Sequence, residues 1–406
     1  MELRSSKKTY SKETQRTVPP EETLHRVEKL LPEAGITRVA DITSLDRIGI
    51  PVFSSIRPTA LNGAISVYNG KGATPIEAKV SAMMEGIERF SAEPSEREIL
   101  NAPFPGLPEG IDAVNPLDLI LPEGADPGIV IPWMEGYDIA ADEPVWVPTN
   151  AVFHPLPKYT PALFRTNTNG LASGNTLEEA TFHALMELIE RDAWSIAEVM
   201  KNTGSRLTHI DNGLPAELLS RFSDAGVDII IKNITSDIGI PTIAAVSDDV
   251  RLKDPTLLTI GMGTHTNAEI ALLRAITEVA QSRLTQIHGA REDTNVADFR
   301  RKIGYERTKR MNRYWFESIR EEDFSAVPSC DSDDFQKDIV RVVSSLAKSG
   351  LERVIVVDLT RPNIGVPVVR VIVPGLEVYA MDQERKGRRC HEAGNRRISR
   401  PKSPEN

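Results

Sequence analysis

The stretch T-P-I-E-A-K-V-S-A-M-M-E-G-I-E-R, residues 74–89, returns as T-L-E-E-A-T-F-H-A-L-M-E-L-I-E-R at residues 176–191. The copies match without a gap, and their matched charged positions are Glu85 with Glu187, Glu88 with Glu190, and Arg89 with Arg191. A weaker third copy spans residues 267–283, with Ala271, Ala275, Glu278 and Gln281 in the same register. Helices repeated in this way predict a pseudo-symmetric fold with a shared site.

Each copy begins with a helix-start signal. The capping-box pattern T-x-x-E pairs Thr74 with Glu77, Thr176 with Glu179, and Thr266 with Glu269, the last pair one residue out of register. A segment that contains two glycines precedes each copy, at residues 70–73, 170–175 and 261–265. A helix that starts after a glycine-rich turn offers free backbone N–H groups and a positive dipole end, which favour anions.

The paired glutamates are three residues apart in both strong copies, so each pair shares one helix face. A single copy would suggest an exposed acid pair held by the following arginine. Two gapless copies with apolar neighbours favour a buried site, where unpaired carboxylates cost several kcal/mol. Four carboxylates without a Cys or His cluster suit Mg²⁺, and Mg²⁺ beside anion-binding turns implies a nucleoside triphosphate.

Familiar nucleotide-binding folds lack support in this sequence. Gly70-Lys71-Gly72 is too short for a P-loop, and no Rossmann G-x-G-x-x-G opens a strand-linked helix.

The composition fits a soluble cytoplasmic enzyme. The chain has 406 residues with a net charge of −10; its length, 40% hydrophobic share and 26 glycines exclude a disulfide scaffold, a collagen-like fibre and wholesale disorder. The negative charge disfavours sequence-independent nucleic-acid binding. No apolar run reaches ~18 residues, so no membrane span is expected.

Apolar periodicity outlines the remaining elements. Helices are predicted at 20–34, 74–92, 176–200, 267–286 and 336–348, and strands at 37–42, 50–56, 133–139, 144–148, 227–234, 241–247, 256–262, 354–359 and 368–373. We expect the strands at 227–234, 241–247 and 256–262 to be central in a sheet. Residues 381–406 are basic and aperiodic, which predicts a disordered tail.

The sequence resembles the YcaO family over residues 1–380. The motifs that carry the resemblance are S-A-M-M-E-G-I-E-R (81–89), T-N-G-L-A-S-G-N-T (168–176), A-L-M-E-L-I-E-R-D-A (184–193) and E-V-A-Q-S-R (278–283). It implies an α/β, YcaO-type ATP-binding fold with duplicated helix motifs around the nucleotide. Residues 1–20 would form an arm that closes over ATP, 21–380 the YcaO domain, and 381–406 the tail.

The resemblance also implies roles for individual residues. The Mg²⁺ ligands would be Glu85, Glu88, Glu187 and Glu190, and the residues acting in catalysis Glu85, Glu187, Arg89 and Arg191. Contacts to phosphates or nucleoside would come from Lys71, Ser81, Arg89, Asn175, Arg191, Gln281 and Arg283. The arm would contribute Lys8 and Arg16, whereas His183 and His265 are expected to be structural.

Other segments resemble the methanogen branch of the family, notably residues 16–24, 37–58 and 66–75. That branch implies thioamidation of a glycine in the α subunit of methyl-coenzyme M reductase, with a sulfide source and a TfuA-type partner. The chain lacks the P-x-P-x-P end of azoline-forming relatives, which puts cyclodehydration in doubt. Family analogy suggests a homodimer.

Two alternatives stay open. One is an ATP-dependent azoline or amidine cyclodehydratase that acts on a peptide. The other is an ATP-binding accessory protein without chemistry of its own, which the intact set of four glutamates disfavours. Cys390, beside arginines in the predicted tail, is a minor candidate for relaying sulfur.

Overall fold

Three antiparallel-rich sheets and a short hairpin organise the chain, and the computed structural model describes residues 1–292, 295–318 and 320–398. The hairpin and the first sheet contain β1 (Tyr10–Ser11), β2 (Gln15–Arg16), β3 (Arg38–Asp41), β4 (Val52–Ile56) and β5 (Val67–Lys71). The second sheet contains β6 (Leu100–Ala102), β7 (Ile131–Asp138), β8 (Glu143–Pro148), β9 (Leu171–Ser173), β15 (Ile355–Asp358) and β16 (Val368–Ile372). The third contains β10 (Ser205–Thr208), β11 (Asp228–Asn233), β12 (Thr242–Asp248), β13 (Ile260–Thr264) and β14 (Glu321–Asp323).

Helices cover these sheets. They are α1 (Pro20–Val27), α2 (Pro75–Ser91), α3 (Thr149–Val152), α4 (Leu177–Met200), α5 (Gly213–Asp224), α6 (Ala268–His288), α7 (Asn295–Ile303), α8 (Tyr305–Met311), α9 (Arg313–Phe316), α10 (Phe335–Lys348) and α11 (Arg388–Ile398). Within the described ranges, no helix is long and apolar enough to cross a membrane. The three repeated helices α2, α4 and α6 start and end within two residues of their predicted bounds, because strong apolar periodicity marks them.

The sheet order shows which strands are interior. The third sheet runs β13-β12-β11-β10-β14, and only its β10–β14 pair is parallel. The strands at 228–233 and 242–248 are therefore interior as predicted. The expectation of a central strand at 256–262 is wrong, because this strand covers 260–264 and lies at the sheet edge. Helix α6 packs on β13 and β12, and its residues Ala271 and Val279 share one core cluster with Ile243 of β12.

Glycines allow each repeated helix to lie directly on the strand before it. A Cβ on Gly70 would lie 1.9 Å from the backbone nitrogen of Ala82, and one on Gly263 would lie 2.0 Å from the carbonyl oxygen of Ala271. Gly174 meets α4 in the same way, since its Cβ would lie 2.5 Å from the Ala180 nitrogen. The predicted glycine-rich turns thus include residues of strands β5 and β13, where glycine serves close packing.

The predicted N-terminal cap is confirmed at α2, the first repeated helix, and is wrong at α6, the third. Thr74 and Glu77 form a complete capping box at α2. At α6 the cap is Asn267, whose side chain accepts hydrogen bonds from the backbone N–H groups of residues 269 and 270. The predicted cap Thr266 instead donates to Asp338. Asn267 is the residue that aligns with Thr74 and Thr176, so the correction places all three helix starts in one register.

The disordered tail predicted from residue 381 is wrong for residues 388–398, which form α11 against α4. Cys390 and Ala393 are fully buried, and Arg389 pairs with Asp192 of α4 at 2.8 Å. Two small apolar residues and a few ion pairs dock this helix, a signal too weak to show in a charge-rich sequence. Burial raises the pKa of the Cys390 thiol, which argues against a sulfur relay there. Residues 399–406 of the predicted tail lie outside the described residues.

The glycine contacts generate a stability prediction. Gly263→Ala should lower the free energy of unfolding by about 3 kcal/mol or more, because its methyl group would overlap the main chain of α6. Urea unfolding followed by circular dichroism measures this effect. Gly128→Ala is the control, since within the described chain its Cβ would meet one side-chain atom, the Asp126 oxygen at 3.1 Å, and no main chain beyond its sequence neighbours. Equal stability of the two variants would contradict the proposed role of close packing.

Candidate active site

A cavity of about 700 Å³ lies between α2, α4 and α6. Its lining includes three matched positions on each helix, which follow the same i, i+4, i+7 spacing of one helix face. These matched residues are Ser81, Glu85 and Glu88 on α2, His183, Glu187 and Glu190 on α4, and Arg274, Glu278 and Gln281 on α6. The three copies of the sequence motif therefore line one cavity together, and this cavity is large enough for a nucleotide.

Burial dominates the electrostatics of the carboxylates. It raises the pKa of Glu88 to about 8, with the charges of Glu85 and Glu187 acting in the same direction and that of Arg89 opposing. It also raises the pKa values of Glu187 and Glu190. Glu88 accepts a hydrogen bond from the Ser173 backbone N–H at 2.9 Å. A carboxylate with a raised pKa favours a ligand that carries positive charge.

The two arginines of the repeated motif face this acidic wall. Arg89 pairs with Glu85 at 3.2 Å, and Arg191 lies 3.8 Å from Glu187 and 3.6 Å from Glu190. Burial lowers the pKa of both guanidinium groups. The charges of the nearby glutamates raise it by more, so the net pKa of each arginine is raised. The Nε atoms of both arginines are buried and find no hydrogen-bond partner among the described residues. These free donors can serve an anion such as a phosphate.

Other predicted contact residues also reach the cavity. Lys71 lines it and forms an ion pair with Glu278 of α6. Gln281 lines it and donates a hydrogen bond to the backbone carbonyl of Asn69. Asn175 lines it too, accepting from Thr23 at 2.9 Å.

The N-terminal hairpin lies at this cavity, with Arg16, Glu13 and Thr14 in the lining. The side chain of Arg16 contacts His183, and its Nε lies 3.8 Å from Glu179. Lys8 does not reach the cavity lining. Its ammonium is buried, pairs with Asp338 at 2.5 Å and anchors the arm instead. The predicted role of Lys8 at ATP is therefore not supported by its position.

Arg283 also lies away from the cavity, contrary to prediction. It is fully buried and pairs with Asp46 at 2.8 Å and Asp249 at 3.1 Å. The reason is helical geometry, because residues two apart cannot share a helix face, and Gln281 already faces the cavity.

Two lining residues, Arg274 and Glu278, were not predicted as part of the site. Their signal was present, since Arg274 aligns with Ser81 and His183, and Glu278 aligns with Glu85 and Glu187. The Arg274 Nε is buried without a partner among the described residues.

The cavity suits a magnesium–triphosphate by its donor set. Within the part of the chain that the structure describes, no three His, Cys, Asp or Glu side chains stand close enough to hold a metal by themselves. Mg²⁺ characteristically binds one or two carboxylates and completes its shell with water and substrate phosphates. Glu190 has a buried Oε2 atom without a described hydrogen-bond partner, as the arginines have free Nε donors. Carboxylates for the metal and guanidinium groups for the phosphates are both present.

Fold and site together define a nucleotide-binding protein built around three repeated helices, distinct from Rossmann and P-loop architectures. The family model described as "YcaO cyclodehydratase", ATP- and Mg²⁺-binding, matches residues 69–377. The chain belongs to the YcaO family, and ATP and Mg²⁺ are its cofactors.

Relatives and solved structures agree with this assignment. An uncharacterised protein of Methanothermobacter thermautotrophicus is 51% identical, over 92% of this chain and 97% of its own length. An uncharacterised protein in the tfuA 3′ region of Rhizobium leguminosarum bv. trifolii is 32% identical, over 93% and 92%. YcaO from Methanopyrus kandleri, bound with AMPPCP and Mg²⁺, has a TM-score of 0.81 and 32% identity, over 99% and 100%. The YcaO-type α/β fold predicted from the sequence is thereby confirmed.

Glu187→Gln tests the metal assignment. In wild type, a Mg²⁺-bound non-hydrolysable ATP analogue at a hundred times its Kd should add about 2.7 kcal/mol of stability by mass action. The variant should lose most of the resulting increase in Tm while its unliganded Tm stays equal or rises, because glutamine removes a buried charge. Differential scanning fluorimetry measures both. Glu217→Gln, at an exposed glutamate of α5, is the control, and an undiminished increase in Glu187→Gln would count against the carboxylate site.

The raised pKa of Glu88 predicts a proton linkage. The folded, unliganded protein binds more protons than the unfolded chain between the ordinary glutamate pKa of 4.5 and about 8. Stability of the unliganded protein should therefore fall as pH rises through that window.

Binding of the Mg²⁺–analogue at pH 7 should correspondingly release about one proton from Glu88. Calorimetry in buffers of different ionisation enthalpy measures the release, which should shrink in Glu88→Gln. A binding enthalpy independent of buffer would contradict the prediction.

Proposed function

We propose that this protein uses ATP and Mg²⁺ to convert a peptide-backbone amide into a thioamide. The favoured target is a glycine in the α subunit of methyl-coenzyme M reductase. The observation that carries the proposal is the cavity in which paired carboxylates face arginines with free donors. The relative from a Methanothermobacter species and the relative from a tfuA region support the thioamidation branch and a TfuA-type partner.

The chemistry needs an activated amide, because the oxygen of an amide is a poor leaving group. Sulfide attack on the carbonyl carbon forms a C–S bond and a tetrahedral oxyanion. ATP supplies the γ-phosphoryl group that makes this oxygen leave as phosphate, and Mg²⁺ screens the charge of the triphosphate. The C–O bond then breaks, the sulfur loses its proton, and the products are thioamide, ADP and phosphate.

The residues of the chain position the reactants and stabilise charge. Glu85 and Glu88 on α2 and Glu187 and Glu190 on α4 would supply carboxylates to Mg²⁺ ions, whose other ligands would be phosphate and water. Arg89 and Arg191 would donate from their free Nε atoms to the transferring phosphoryl group, the usual protein contribution to phosphoryl transfer. No cysteine occurs in the described cavity lining, which favours an external sulfur nucleophile over a covalent enzyme intermediate.

Cyclodehydration is the second candidate, because the family description itself contains that activity. A heterocyclase in complex with substrate and cofactor has a TM-score of 0.80 over 93% of this chain and 54% of its own. At 24% identity it supports the common fold alone. A glycine target favours thioamidation, since glycine has no side chain to attack its neighbouring carbonyl.

The mass of the product separates the candidates. We expect purified protein, a glycine-containing target peptide, Mg²⁺-ATP and sulfide, with a TfuA-type partner, to give a mass gain equal to replacement of one oxygen by sulfur. The gain should disappear in Glu85→Ala and persist in Cys390→Ala. Loss of one water would assign cyclodehydration, and an absence of ATP turnover with or without the partner would favour an accessory role.

A further inference from the structure

A second, smaller cavity of about 60 Å³ lies next to the turn that leads into β9. Asn169, Leu188, Arg370, Val373 and Arg385 are among its lining residues. It is adjacent to the large cavity along the chain, since Thr168 and Glu187, the neighbours of two of these residues, line that one. It has room for a few water molecules or a short piece of main chain, but not for a nucleotide.

Two residues that line this small cavity each have a buried polar atom without a partner among the described residues. Arg370 is 3% exposed, and it donates from Nε to the carbonyl of Ala151 at 2.9 Å and from Nη2 to that of Asn167 at 2.8 Å. Its Nη1 atom finds no partner in the described chain. Asn169 is 5% exposed, and its Oδ1 atom is likewise without a partner there. Unsatisfied buried groups each cost about 1–3 kcal/mol, so a ligand that satisfies both is favoured.

One free donor and one free acceptor define the chemistry of that ligand. A carboxylate would satisfy Arg370 but would meet a second oxygen at Asn169. A polypeptide main chain carries both complements, a carbonyl oxygen for Arg370 and an N–H group for Asn169. The charge of Glu187 also acts on the guanidinium of Arg370, so this group lies within electrostatic reach of the nucleotide cavity.

We propose that the small cavity binds the main chain of the substrate at the target residue, with Arg370 donating to a carbonyl oxygen and Asn169 accepting from an N–H group. This inference rests on the proposed function. The apolar walls from Leu188 and Val373 leave little space for a side chain, which makes the cavity selective for glycine. It deepens the proposed function by naming the residues that select the substrate.

A chemical double-mutant cycle tests the Asn169 contact. Fluorescein-labelled glycine peptides of the target sequence are bound to protein loaded with Mg²⁺–AMPPCP, and affinity is measured by anisotropy. Ester analogues replace, one at a time, the N–H of the glycine and of the next residue by oxygen. One of the two esters should bind the wild-type protein about fivefold more weakly than the parent peptide does. The same ester and the parent peptide should bind Asn169→Leu with equal affinity, because this variant lacks the acceptor oxygen.

Arg370→Lys and Arg385→Lys form a matched pair. Arg385 is 5% exposed in the same cavity, and its Nε and Nη2 donate to the carbonyls of Ile120 and Leu119, at 2.8 and 2.6 Å. Unlike Arg370, it has no nitrogen among the buried side-chain atoms that lack a partner in the described chain. Arg370→Lys should weaken peptide binding about tenfold while the Mg²⁺–AMPPCP increase in Tm stays unchanged. Arg385→Lys should lower Tm but leave peptide affinity unchanged.

The outcomes separate this inference from the proposed reaction. No peptide binding to wild type, no ester effect, or wild-type affinity in Arg370→Lys would each overturn the peptide site and leave a cavity filled by structural water. Thioamide formation could still be intact in those cases, and product mass would show it. If the ester and Arg370→Lys effects appear as predicted but no thioamide is formed, the peptide site would stand and thioamidation would be refuted.

Discussion

The close approach of each repeated helix to a glycine in or just after its preceding strand is the contact on which the architecture depends. Gly70, Gly174 and Gly263 leave no room for a side chain against the backbones of α2, α4 and α6. The helices thereby lie close against the backbone before them, with alanines at the contact, and the adjacent face of each helix lines one cavity. The repeat is thus a packing unit first, and the chemistry is carried on the face that packing leaves free.

The charged side chains on that face are not all paired within the described protein. Carboxylates on α2, α4 and α6 share the cavity with Arg89, Arg191 and Arg274, each with a buried Nε lacking a described partner. Desolvation raises the pKa values of Glu88, Glu187 and Glu190, which makes the negative charge of these carboxylates costly until a cation binds beside them. A magnesium–triphosphate would complement both sets at once, with the metal at carboxylates and the phosphates at guanidinium groups.

The segments at both ends of the described chain pack against the elements that form this cavity. The N-terminal hairpin is anchored by Lys8 and brings Arg16 to the cavity. The helix α11 packs on α4 from the other end of the sequence. The same helix α4 carries Leu188 into the small cavity and Glu187 into the large one, which joins the proposed peptide site to the nucleotide site through one rigid element.

The sequence by itself determined the three repeated helices, the four glutamates and the class of ligand, because a repeated face with buried acids allows few interpretations. It also contained the alignment of Arg274 and Glu278 with predicted site positions. Only the tertiary structure decided that Lys8 and Arg283 pair with buried aspartates, and that residues 388–398 dock as a helix. The physical reason is that periodicity reports which residues share a face, whereas the partners of a charged group come from distant segments that only folding brings together.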